Sequence, residues 1–100
     1  MDKPTGKIRA ARLDKSKRLQ AVFWLMADGR EHSTWEVITT CKRCAINSIM
    51  AELRDKDSGN ELTIPPAKVH DGGHWYRMEL DAKFYEWRRR LLAQGEAVNG

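Results

Sequence analysis

Ser33-Thr34-Trp35-Glu36-Val37-Ile38-Thr39-Thr40-Cys41-Lys42-Arg43-Cys44-Ala45-Ile46-Asn47-Ser48-Ile49-Met50-Ala51-Glu52-Leu53-Arg54 is the stretch on which the fold turns. It opens on a capping box. The Ser33 hydroxyl can accept from the amide three residues on, and Glu36 can reach back. That signature predicts a helix from about Thr34 to Thr40, with Trp35, Val37 and Ile38 as its apolar residues. Thr39-Thr40-Cys41-Lys42 then clusters β-branched and small polar residues where the pattern stops, which predicts a turn. From about Arg43 to Asp55 the residues Ile46, Ile49, Met50 and Leu53 recur at helical spacing and form one buried stripe. The opposite side carries Cys44, Ser48, Ala51 and Asp55, with Asn47 and Arg54 on one flank.

Upstream, Leu19, Val22, Phe23 and Met26 make a second helical stripe, capped by Asp14 or Ser16 and ended by Asp28-Gly29. Trp24 lies off that stripe. Arg30-Glu31-His32 is a short polar connection or a minimal strand, with His32 expected at the surface. Downstream, Leu62 and Ile64 alternate with Glu61 and Thr63, as in a strand buried on one face. Pro65-Pro66 interrupts any ladder, and Asp71-Gly72-Gly73 signals a turn. Tyr76, Met78 and Leu80 alternate again. The two runs predict a β-hairpin with a long loop from Pro65 to Gly73. Asp81 can cap a last helix over about Ala82 to Gln94, with Gly95 as its stop. Phe84, Trp87, Arg88, Leu91 and Leu92 define one face of it.

This order predicts an α+β, mostly helical domain. The expected organisation is a flexible basic arm at 1–15, a body at 16–80, a terminal helix at 81–95 and a disordered tail at 96–100. The 41% hydrophobic and 32% charged content are those of a folded soluble chain, and no apolar run reaches membrane-spanning length. No apolar segment follows the first charges, so a secretory signal is not expected and the expected compartment is the cytoplasm. The net charge is +4, and its placement is uneven. Residues 1–18 hold seven basic and two acidic residues, whereas residues 19–100 hold 11 basic and 12 acidic. Such an arm can seek phosphates or another acidic surface, or it can be a solvated terminus.

The segments Ser33-Thr34-Trp35-Glu36-Val37-Ile38, Ala45 to Arg54 and Trp75-Tyr76-Arg77-Met78-Glu79-Leu80 together resemble the winged helix-turn-helix superfamily of small bacterial and phage regulators. The resemblance covers about residues 16–80. It implies a three-helix core, a β-hairpin wing and an extra C-terminal helix. It also implies double-stranded DNA as partner, with helix 43–55 in the major groove. Lys42 and Arg43 would meet phosphate or guanine edges, and Asn47 and Ser48 would bond base edges, Asn47 favouring adenine. Cys44, Ala51 and Arg54 complete that helix surface. Thr34 would stand beside a phosphate at the start of the preceding helix. Lys68, His70 and His74 would reach from the wing, and Lys7, Arg9 and Arg12 from the arm.

Other readings of the same residues stay open. The outer face of helix 43–55 is small and nearly neutral, which also suits a winged helix that binds a host or phage protein. Phe84, Trp87 and Leu91 can pack on the first helix or form the interface of a homodimer. Cys41-Lys42-Arg43-Cys44 has the spacing of half a zinc site. Nevertheless, His32, His70 and His74 do not supply the usual second pair, so neither a metal nor a cofactor is expected. There is no Gly-rich phosphate loop, nucleophile motif or framed carboxylate pair, so an enzyme is not expected.

Overall fold

The computed structural model describes residues 10–42 and 45–99, with side chains through residue 95. Helix α1 spans Lys17–Leu25 and is capped by the Ser16 hydroxyl, which accepts from Leu19 N at 3.2 Å. It buries Leu19, Val22 and Phe23 and tightens into a 3-10 turn over Met26–Asp28. Gly29 ends that turn at φ +74°, and a Cβ there would lie 3.0 Å from Leu80 Cδ1. Conformation and space therefore both call for glycine.

The next elements follow the capping box. Strand β1 is His32–Ser33, helix α2 is Thr34–Cys41 and helix α3 is Ile46–Arg54. The Ser33 hydroxyl accepts from Glu36 N at 3.0 Å, which fixes the start of α2. Lys42 closes it in the left-handed region at φ 59°. Helix α3 buries Ile46, Ile49, Met50 and Leu53, the stripe read from the sequence.

The hairpin differs from its expectation. Strands β2 (Lys68–His70) and β3 (Gly73–Tyr76) pair antiparallel around a two-residue Asp71-Gly72 turn. Both turn residues have positive φ, 51° and 75°. That conformation matches the twist of the flanking strands, and Asp-Gly adopts it readily. The run Glu61–Ile64 forms no strand, because Pro65-Pro66 removes two successive donors. Leu62 and Ile64 are buried nonetheless, and Glu79 N donates to Thr63 O at 2.9 Å. The run is a buried strap. β1 pairs on the other side of β3, His32 opposite Tyr76, so the sheet order is β1-β3-β2.

Helix α4 runs over Ala82–Asn99, past the stop expected at Gly95. Glycine inside a helix costs only about 1 kcal/mol, so it weakens a helix without ending it. The N-terminal boundary also moves. Leu13 is fully buried in a 3-10 turn over Leu13–Lys15, and Ala11 N donates to Glu52 at 3.0 Å. The packed body thus begins at Ala11, and residues 1–9 lie outside the described residues. One hydrophobic core gathers side chains from that turn, all four helices, the strap and β3. Phe84, Trp87 and Leu91 belong to it. Phe84 stacks on Phe23 at 5.2 Å and Trp87 donates to Asn60 O at 2.9 Å. These three side chains, expected either to pack on the first helix or to form a homodimer interface, are packed within the chain. Among the described residues, no helix is long and apolar enough to cross a membrane.

Candidate functional site

The first turns of α3 supply the polar surface of the candidate site. Because Ile46, Ile49 and Met50 point into the core, Asn47, Ser48 and Ala51 are turned outward and are exposed. Asn47 is not a loose side chain. The Tyr76 hydroxyl donates to Asn47 Oδ1 at 2.9 Å, tying α3 to β3. Tyr76 itself is buried, and a buried phenol needs such a partner at its polar end.

Thr34 at the start of α2, Asn47 on α3 and His74 on β3 line one open hollow of about 230 Å³ together with Ile38 and Ile46. Three residues singled out on separate segments of sequence thus meet in one place. Lys42 is exposed at the turn between α2 and α3. Arg43, Cys44, Lys7 and Arg9 lie outside the described residues. Cys41 is half-buried and packs against the core.

Other expected site residues are engaged elsewhere. The Arg54 guanidinium donates from Nε to Ile64 O at 2.7 Å and from Nη2 to Pro65 O at 3.2 Å. It buckles the strap to α3 with two of its N–H donors. Arg12 forms a two-pronged pair with Asp14 at 3.0 and 3.1 Å. That hydrogen bond and its charge hold the Asp14 carboxyl below the usual carboxylate range.

On the hairpin, Lys68 Nζ stands 3.2 Å from Glu31 Oε2 and His70 Nε2 stands 3.5 Å from Glu31 Oε1. The Lys68 hydrogen bond keeps Glu31 ionised, below the ordinary carboxylate range. His70 also stacks on Trp75, with ring centres 4.8 Å apart, and Trp75 Nε1 donates to His70 O at 2.9 Å. The hairpin is therefore braced, and Glu31 offsets its cations. His74 remains exposed.

Some residues that support the site went unread in the sequence. His32, expected at the surface, is buried. Its Nε2 lies 2.9 Å from Asp28 Oδ1, and its Nδ1 lies 3.0 Å from Glu36 Oε1 at ion-pair range without hydrogen-bond alignment. Burial disfavours the imidazolium, but the two carboxylates outweigh that penalty and raise the pKa. Glu36 thus reaches back to the His32 side chain, where the capping box had it at the Ser33 amide.

Glu52, on the far face of α3, takes both Arg18 nitrogens at 3.0 Å as well as Ala11 N. Two large apolar side chains are 71% exposed: Trp35 on α2 and Val69 on β2. No family model matches the chain, and neither a curated protein nor a solved structure matches it.

Proposed function

We propose that this chain is a winged helix-turn-helix protein that binds double-stranded DNA, as a small regulator or accessory factor of the kind bacteria and phages use. The element order α1, β1, α2, α3, β2, β3 and the sheet order β1-β3-β2 support that architecture. In this reading α3 faces the major groove with its first turns, and the β2–β3 hairpin is the wing. The observation that carries the reading is the shared hollow. Thr34, Asn47 and His74 arrive there from two helices and the hairpin, next to exposed Ser48. That is a polar, concave surface built from rigid elements, with Lys42 at the connecting turn. Amide chemical-shift mapping with a random-sequence duplex tests it. Shifts should concentrate at Thr34, at Lys42, over residues 46–51 and on the hairpin. Shifts confined to α1 and α4 would contradict it.

A second reading has its own support. Trp35 and Val69 are 71% exposed, and Glu31 offsets Lys68 and His70 on the wing. Exposed apolar side chains and a charge-compensated hairpin suit a protein partner. Affinity capture distinguishes the two. A stoichiometric protein partner that survives nuclease treatment favours this second reading, and loss on nuclease treatment favours DNA.

A further inference from the structure

We infer that the hollow between α2, α3 and β3 reads thymine in the major groove, with Asn47 as hydrogen-bond donor and Ile38 and Ile46 against the base's methyl group. This rests on the DNA-binding reading above and names what its central residue recognises. Asn47 is held by the Tyr76 hydroxyl, which donates to Asn47 Oδ1 at 2.9 Å. One of the two lone pairs of the oxygen that would accept from adenine N6 is thereby taken by a protein donor, whereas the two N–H groups of the amide have no partner among the described residues. A side chain weighted toward donation favours acceptors at base edges over the cytosine amino group.

The two isoleucines in the lining narrow the choice further. Ile38 and Ile46 lie in the same hollow as Asn47, a volume of about 230 Å³. Thymine offers an acceptor, O4, beside an apolar C5-methyl. Guanine offers acceptors without a methyl, and adenine places its donor beside N7. Thymine thus fits both halves of the hollow. Tyr76 is a positioning residue in this scheme. It acts through Asn47 and is itself buried beneath it.

The test is selection from a randomised duplex pool with the full chain, followed by binding to the selected site. One position of that site should require thymine. Replacing the thymine with deoxyuridine removes only the methyl and should weaken binding about fourfold, the loss of one buried methyl group. Replacing it with cytosine should weaken binding about tenfold or more. Asn47 is an exposed helix residue, but Asn47→Ala also removes the acceptor of the buried Tyr76 hydroxyl. Its urea unfolding is therefore measured alongside, and binding is compared under conditions where the variant is folded. The variant should erase the thymine-over-cytosine preference at that position alone. Tyr76→Phe should broaden the same position and leave the others sharp.

A selected site without a thymine requirement overturns the inference. So does an Asn47→Ala variant that loses affinity equally on every sequence. In both cases the DNA-binding reading stands, with Asn47 as a backbone contact or bystander. Failure to retain any duplex overturns the inference together with the reading beneath it.

Discussion

Asn60 is fully buried and joins three parts of the chain. Its Oδ1 accepts from Leu13 N at 2.8 Å, and its Nδ2 donates to Ala11 O at 2.8 Å and to Glu52 O at 2.9 Å. Its carbonyl accepts from Trp87. Asn60→Ala strips Leu13 N and Ala11 O of their partner, while Glu52 O keeps Asp55 N, and each stripped group costs about 1–3 kcal/mol. The variant should lose about 2 kcal/mol or more in urea unfolding, and a loss below about 1 kcal/mol would contradict this linkage role. No local pattern marks Asn60 for this role, because two of its partners are 47 and 49 residues away. His32 was hidden for a similar reason. Its two carboxylates flank it at four residues on either side, yet a 3-10 turn, a strand and a helix intervene. Because the folded pKa is raised, protonated His32 contributes stability in full below its unfolded pKa of about 6.5. That contribution is lost as pH rises through the higher folded value. The urea midpoint should therefore fall above neutral pH in the native chain and not in His32→Asn. A ring titration at or below about 6.5 would contradict the clamp.

Elements rich in local signals were legible, and elements set by distant contacts were not. The cap at Ser33, the turn at Gly29 and the Ile46, Ile49, Met50 and Leu53 stripe each depend on neighbours within four residues. The strap is the contrary case. Its alternation at Leu62 and Ile64 reports burial correctly, but burial on one face does not require a ladder. The Asp71-Gly72 turn then selects the nearer segment Lys68–His70 as the partner of β3. Arg54 explains how the strap is held without strand pairing. It donates to the carbonyls of Ile64 and Pro65. Arg54→Ala should lower stability by about 1–3 kcal/mol in denaturant unfolding, since hydrogen bonds from a charged donor are lost. Its affinity for DNA should stay within about twofold of the native chain. A large loss of affinity at unchanged stability would restore Arg54 to the binding surface.

At the scale of the whole molecule, charge and core separate. The core is one cluster, and the residues that form it were largely read from their spacing. The site was half legible. Residue types and segments pointed to Thr34, Asn47 and His74, but their convergence needed the fold. The engagement of Arg54, Lys68 and His70 by other groups left no trace in local pattern. What remains for long-range attraction to phosphate is concentrated near the start of the chain, where Lys3, Lys7 and Arg9 precede the packed body. Removing residues 1–9 deletes these cations and spares the contacts of Ala11 and Leu13. The decisive measurement is fluorescence anisotropy of a labelled random-sequence duplex against salt, with the full chain and with residues 1–9 removed. DNA binding predicts affinity in the micromolar range at low salt that falls steeply as salt rises, with a slope of about −0.9 per neutralised phosphate. The truncated chain should show a flatter slope. No binding by either form at low salt would contradict the DNA-binding account.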